Sequence, residues 1–384
     1  MISVLTYGAV GNGVTDDTTA IRNAITAAGA TGGIVSFPAG TYKISGTLTI
    51  SSANVMLIGE GVDATKIVST NTAADILNFY ASPAFSGGGV RDMTLEVSGS
   101  ATAGAAIRIN GQRSIGVENI WIRTPFQGVV LEGDNRACRI RNVDISDHLG
   151  NGFVIGGGGN QYLHTCTTFR NAQGGGTVAF LVTQTDGAWF DTCVSQRASY
   201  GMRVVPGATQ YVTDLWINAC DFDNSASDGV VFDSGTAGGR ITTVNWNGSR
   251  IGFGGFRGLV IDGSQTQDLQ FSNLRSEKNI SHGLVIGNVQ DAQFSNAAFL
   301  GNNATNAATE TYGVNVIGGN GVVFSGGRSG GYSGDANNQK YGIVFGGTYA
   351  GQALICGMDL RGNKAGGAFN GAGTSVLLAD CLGA

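Results

Sequence analysis

A glycine followed by alternating apolar residues returns along this chain at a nearly constant interval, and that return limits what the chain can fold into. The element begins at Gly128 (GVVL), Gly152 (GFVI), Gly201 (GMRV), Gly229 (GVVF), Gly258 (GLVI), Gly283 (GLVI), Gly313 (GVNV) and Gly342 (GIVF). One further copy, at Val178 (VAFLV), lacks a clean glycine start; with it the steps run from about 24 to about 30 residues. A period in that range marks a solenoid. The fullest copy is Phe271–Ile286, FSNLRSEKNISHGLVI, in which two short alternating runs flank a polar, glycine-containing bend. No copy holds an apolar stripe long enough for a helix. The solenoid is therefore all-β, with roughly ten or eleven coils.

A length of 384 residues exceeds what one round core supports, a limit that a solenoid avoids because each coil touches only its neighbours. Glycine accounts for 64 residues and proline for only 4, which excludes collagen and proline-rich disorder. Charged residues make up 13% and the formal net charge is −5. With no basic stripe, nucleic acid is not an expected partner. No apolar run reaches the length of about eighteen residues that spans a bilayer. Cys166, Cys193 and Cys220 fall 27 residues apart, in one column on successive coils. Together with Cys138, Cys356 and Cys381 they form no C-x-x-C pair, so reduced, inward-facing thiols are expected rather than zinc ligands. The opening MISVLTYGAVGNG has neither the charged nor the apolar region of a secretory signal.

Residues 5–17 form a glycine-dense loop, LTYGAVGNGVTDD, and Thr18–Ala28 then places Ala20, Ile21, Ala24, Ile25 and Ala28 on one helical face. Asp17 or Thr18 is the expected N-cap and Gly29 the stop. A short helix there would cover the open apolar end of a solenoid. GAVGNG is not a dinucleotide fingerprint, because no strand precedes it and no β-α alternation follows.

Three segments in order carry a family resemblance: YGAVGNGVTDDTTAIRNAI, GGIVSFPAGTY, and LIGEG followed by TKIV, all within residues 7–68. They resemble the N-terminal portion of the pectate-lyase superfamily domain, which includes phage tailspike depolymerases and pectin- and alginate-active enzymes. The later coils resemble that group's generic repeat. The resemblance implies a right-handed parallel β-helix over the whole chain, as one domain with residues 1–68 as cap and first coils. It also implies a carbohydrate polymer as substrate and, for a tailspike, a homotrimer outside the cell or on a virion. It carries no reaction type, since the fold hosts several.

Setting the coils in register gives an inward column of Val117, Ile140, Phe190, Ile217, Trp246, Phe271, Phe294, Phe324, Ile355 and Leu378. Like residues stack at ~4.8 Å there, so Trp246 is core and not a sugar platform. The strand that follows offers two outward columns. The first reads Trp121, Asp144, Asp221, Arg250, Arg275, Ala298, Arg328, Asp359; the second includes Arg123, Ser146, Asp223, Gly252, Glu277, Leu300 and Arg361. Asp221, Asp223, Arg250, Arg275 and Glu277 stand out on three consecutive coils of a charge-poor chain. Asp221 and Asp223 should lie ~6.5–7 Å apart and Asp223 ~9–10 Å from Glu277, near the range of inverting glycosidases. Clustered carboxylates also raise one pKa, as an acid catalyst needs. Asp221, Asp223 and Glu277 are thus candidate catalytic residues, with Arg250 and Arg275 on the substrate.

The same residues also read as a charge-balancing ladder on adjacent strands. The resemblance to pectate lyases implies a third use, in which Asp221 and Asp223 hold Ca²⁺ while Arg250 or Arg275 takes a proton; hydrolysis needs no cofactor. Trp189 and Trp216, 27 residues apart, precede the inward column and should face outward as sugar platforms. A second acid set, Asp144, Asp147 and His148, has the look of turn residues on open ground. His164 and His282 lack a partner in reach, and no triad or H-x-x-x-H spacing occurs. Loops at Ser225–Asp228, Ser234–Arg240 and Asn302–Thr311 walling a groove would favour a depolymerase. A bare face would favour a structural or glycan-binding β-helix.

Overall fold

Three short strands separated by bends make up a turn of this chain, and the copy Thr266–Ser272, Arg275–Glu277, Leu284–Ile286 displays the plan. Asn273 (φ 54°) and Lys278 (φ 52°) make its first two bends in the left-handed region, where asparagine is tolerated better than most side chains. Each strand pairs in parallel with its equivalent on the next turn, as Phe271 does with Phe294 and Leu284 with Val314. The computed structural model describes residues 1–173, 175–236, 238–305, 310–332, 339–346, 349–371 and 376–383.

The fold is an all-β parallel solenoid of about 13 turns, more than the ten or eleven expected. The difference arises early: Leu48–Ile50, Leu77–Phe79 and Ala105–Asn110 each belong to a turn that precedes Gly128 and lacks the glycine start. The turns divide into two compact units, Met1–Leu181 with Thr185–Trp189, and Val182–Gln184 with Phe190–Ala384.

The repeating glycine has a packing cause. None of the eight adopts a positive φ; each instead faces the carbonyl of the next turn. A β-carbon on Gly152 would lie 2.6 Å from Ala179 O, on Gly258 2.5 Å from Gly283 O, and on Gly313 2.7 Å from Gly342 O. The turn at Val178 has no glycine because buried Ala179 takes that position.

In the first unit, the helix Thr18–Gly29 buries Ile21, Ala24, Ile25 and Ala28 against Gly33–Phe37 and Leu48–Ile50. Gly29 is its last residue and not its stop. Asp17 occupies the N-cap without capping the helix with its side chain. Its carboxylate instead accepts from Val10 N (2.7 Å) and Gly11 N (3.1 Å), pinning the glycine loop, while Asp16 accepts from Thr18 N (3.0 Å). In the second unit the inward aromatics stack as the register requires, Phe271 on Phe294 and Phe294 on Phe324 at 4.8 Å, with Trp246 fully buried. Leu378 keeps register with Ile355 yet is exposed, since no described strand stacks on its far side. All six cysteines are free, and Cys138, Cys166, Cys193 and Cys220 are buried. Among the described residues no helix is long and apolar enough to cross a membrane.

Candidate functional site

The second unit brings five of the seven sequence-predicted site residues together. Strand Asp221–Asp223 pairs with Arg250–Gly252, and that strand with Arg275–Glu277, so Asp221, Arg250 and Arg275 align in one column and Asp223, Gly252 and Glu277 in the next. Gly252 leaves room between the two outer carboxylates, and Arg250 reaches across it. A β-carbon there would meet Arg250 Nη1 at 2.4 Å.

Arg250 is the centre of the arrangement. Its Nε lies 3.1 Å from Asp221 Oδ1, its Nη2 donates to Asp221 Oδ2 (3.2 Å) and Asp223 Oδ1 (3.0 Å), and its Nη1 donates to Glu277 Oε1 (3.3 Å). Arg275 Nε takes the other oxygen of Glu277 at 2.5 Å. Three acids thus share two guanidinia in geometry that makes charge-assisted bonds strong. Access differs among them. The Glu277 side chain is 6% exposed with both oxygens engaged, whereas that of Asp221 is 37% exposed.

Burial pushes the Asp221 carboxyl above its ordinary value, although the neighbouring Arg250 pulls the other way; Asp223 and Glu277 add to the rise. Arg250 moves upward too: burial opposes this, but the three carboxylates outweigh it. Because Asp221 Oδ2 and Asp223 Oδ1 accept from one nitrogen at 3.2 and 3.0 Å, they are at most about 6 Å apart. That is shorter than the strand spacing suggested, because both side chains bend toward Arg250. That bound accommodates the ~5–5.5 Å of retaining glycosidases. The guanidinium fills the space among the carboxylates in which a divalent cation would have to sit. No group of three or more His, Cys, Asp or Glu placed to hold a metal occurs among the described residues.

The two tryptophans lie on strands other than those of the five charged residues. Trp189 belongs to the first unit, where its ring stacks on Tyr162 at 4.9 Å. Trp216 is 39% exposed on the strand Leu215–Asn218, separated from Asp221 by the left-handed bend at Ala219 (φ 50°). The aromatics bordering the cluster are ones the sequence did not single out. Phe253 follows Gly252, is 45% exposed, and lies 5.7 Å from the Arg250 guanidinium; Tyr332 lies 5.6 Å from that of Arg275 and 4.2 Å from Lys278 Nζ. Phe253 adopts φ 52° at a bend filled in the adjacent turns by Asn224 and Lys278. A bulky side chain there is costly, by roughly 1–2 kcal/mol. The bend register was legible in the sequence and would have drawn attention to that phenylalanine.

Of the expected walls, Ser225–Asp228 takes another form. Ser225 and Asp228 are buried, and Asp228 grips Arg257 through two bonds of 2.8 and 2.9 Å, so this segment is a packed turn. The segments Ser234–Arg240 and Asn302–Thr311 include positions 237 and 306–309, which lie outside the described residues.

In the first unit, Asp147 accepts from Asn171 N (2.7 Å) and Nδ2 (2.6 Å), as a turn residue would. His148 does not face open ground. It is fully buried, its Nδ1 lies 3.0 Å from Gly150 O, and burial lowers its pKa to about 4. An open depression of about 420 Å³ lies beside these residues, where Arg123 stacks 3.7 Å over Trp121. Its acids are dispersed: Glu96 faces Arg123 at 3.9 Å while Asp147 serves Asn171.

A family model described as "Rhamnogalacturonase A/epimerase, pectate lyase-like" matches residues 1–203. Mannuronan C5-epimerase AlgE5 of Azotobacter vinelandii is 32% identical over 172 residues, covering 39% of this chain and 15% of that protein. Among solved structures, the A-module of the Azotobacter vinelandii mannuronan C-5 epimerase AlgE4 superposes with a TM-score of 0.67 at 20% identity, over 98% of this chain and 97% of that one. A mutant tailspike protein of E. coli bacteriophage HK620 gives 0.74 at 12% identity, over 98% and 80%. At these identities the structural likeness is one of fold. The matched segment spans about 15% of the length of AlgE5, so it does not stand for that whole protein.

Proposed function

The chain belongs to the rhamnogalacturonase A/epimerase, pectate-lyase-like family, and on that premise we propose that it cleaves a polysaccharide by glycoside hydrolysis at Asp221 and Asp223. The observation that carries this reading is the pairing of an accessible carboxyl held up by burial with a second carboxylate at most about 6 Å away, both on Arg250 Nη2. Asp221, the more exposed, donates its proton to the leaving glycosidic oxygen. Asp223 attacks the anomeric carbon, forming a glycosyl ester. Water, deprotonated by Asp221, then releases the sugar and restores both acids. Arg250 orients the pair, and Glu277, closed off between two arginines, acts as a positioning residue. Phe253 offers an exposed face to the apolar side of a sugar ring.

Elimination with Arg250 as the base, rather than Arg275, would require Arg250 to give up a proton that three carboxylates hold more firmly. It would also require Ca²⁺ in the space Arg250 fills. A second reading, a glycan-binding β-helix without catalysis, draws support from the neutralisation of every acid in the cluster. The tailspike resemblance adds a homotrimer and an extracellular or virion-associated location; light scattering tests the first.

The test is a panel of bacterial surface and plant acidic polysaccharides, with reducing ends and the ultraviolet chromophore of unsaturated uronates followed together, with and without EDTA. Hydrolysis predicts new reducing ends without chromophore, unchanged by EDTA and lowered about a hundredfold or more in Asp221→Asn and Asp223→Asn. Full activity in both variants would sink the assignment. A rising chromophore would make the protein a lyase, and tight binding without cleavage would make it a binding module.

A further inference from the structure

We propose a second polysaccharide-binding surface, specific for carboxylate-bearing chains, around Arg139 and Arg141 on the outer face of the first unit. In a chain of net charge −5, these two guanidinia point outward from one strand with no carboxylate partner among the described residues. Among the described residues, the only side-chain bond made by either is the long one from Arg139 Nη1 to Ala137 O (3.4 Å). The half-buried arginines of this unit are committed to carboxylates, Arg136 to Asp134 and Asp186, Arg123 to Asp63, and Arg108 to Asp75 and Glu132.

The register explains the setting. Arg139 stands between Gly116 and Tyr162 in one column, and Arg141 between Glu118 and His164 in the next. Gly116 and Gly89 leave the near end of the first column bare, and a depression of about 140 Å³ opens there, lined by Arg91, Gly116, Glu118, Arg139 and Arg141. Glu118 is the one acid in the lining, between Arg91 and Arg141, and Asp92 at the adjacent bend is engaged by Arg91 (3.6 Å) and Asn119 (2.9 Å). On the far side the Arg139 guanidinium lies 5.6 Å over the Tyr162 ring, which is itself stacked on Trp189. The face Trp189 turns to Tyr162 is therefore unavailable to a sugar. The two rings act as a prop that holds a flexible cation in place.

Two guanidinia carried on strand positions ~7 Å apart, that of Arg139 propped on Tyr162, suit carboxylates, to which they donate in bidentate geometry. Turns repeat at ~4.8 Å, close to the length of one pyranose unit, so a chain lying along the stack would meet the patch sugar by sugar. A neutral glycan would leave both charges unused. The ligand class is therefore a polyuronate.

The experiment is calorimetric titration of the intact chain with polygalacturonate oligomers, with dextran and single-stranded DNA as comparisons, at two ionic strengths. The readout is binding, so it stands whether or not the Asp221 cluster cleaves anything. Affinity for polygalacturonate should fall with salt and weaken about tenfold or more in Arg139→Ala/Arg141→Ala. Tyr162→Ala should weaken it as well, and Tyr162→Phe, which keeps the stacked ring, should not. Absence of polygalacturonate binding, binding undiminished in the double variant, or equal binding of dextran or DNA would each overturn the proposal.

Discussion

Replacing Arg250 by methionine removes the charge that three acids share while keeping most of the side chain's length. Breaking a buried ion pair costs ~3–5 kcal/mol, because the remaining charge is left uncompensated. Here the terms are unequal. Glu277 is nearly buried but retains Arg275 on its second oxygen. Asp223, 14% exposed, keeps only Asn224 Nδ2 at 2.9 Å. Asp221 is more than a third exposed, so water screens its loss to ~0–1 kcal/mol. Together these give about 2–4 kcal/mol at neutral pH. The deficit should depend on pH in a definite sense. With Arg250 gone, burial and the neighbouring acids all push the Asp221 carboxyl upward and nothing pulls it down. A carboxyl raised in the folded state contributes stability below its unfolded value and loses it as pH rises through the folded one. The variant should therefore be weakest at pH 7 and approach wild type near pH ~4. Urea unfolding followed by circular dichroism at both pH values measures this. A deficit under about 1 kcal/mol at pH 7, or one no smaller at pH 4, would refute the view that Arg250 compensates these acids.

Two further outcomes follow from the packing. Gly258→Ala drives a β-carbon to 2.1 Å from Ser276 Oγ and 2.5 Å from Gly283 O, the second of which cannot retreat without moving a turn, so urea unfolding should register a loss of about 3 kcal/mol. His148 is buried neutral, with a pKa lowered to about 4 by burial, so the unfolded chain binds its proton first as pH falls. Stability should drop between pH ~6.5 and about 4 at up to ~1.4 kcal/mol per pH unit, and His148→Gln should flatten that part of the unfolding profile.

The solenoid was legible in the sequence because its cause is local and repeated. At each turn a carbonyl approaches too closely for a side chain, so glycine recurs at Gly152, Gly258 and Gly313, and the alternating residues beside it must face a shared interior. The same register aligns Asp221 with Arg250 and Arg275, and Asp223 with Glu277. Periodicity fixes which residues share a column. It does not fix how far a side chain reaches, or how buried it is. Only the tertiary structure brought Arg250 onto all three acids and closed Glu277 between two arginines. It also turned His148 inward, and it set Phe253 and Tyr332 beside the cluster. Those outcomes depend on side-chain direction, on bends in the left-handed region and on which neighbour arrives first at a shared partner. They are properties of packed neighbours across turns, and no single copy of the repeat contains them.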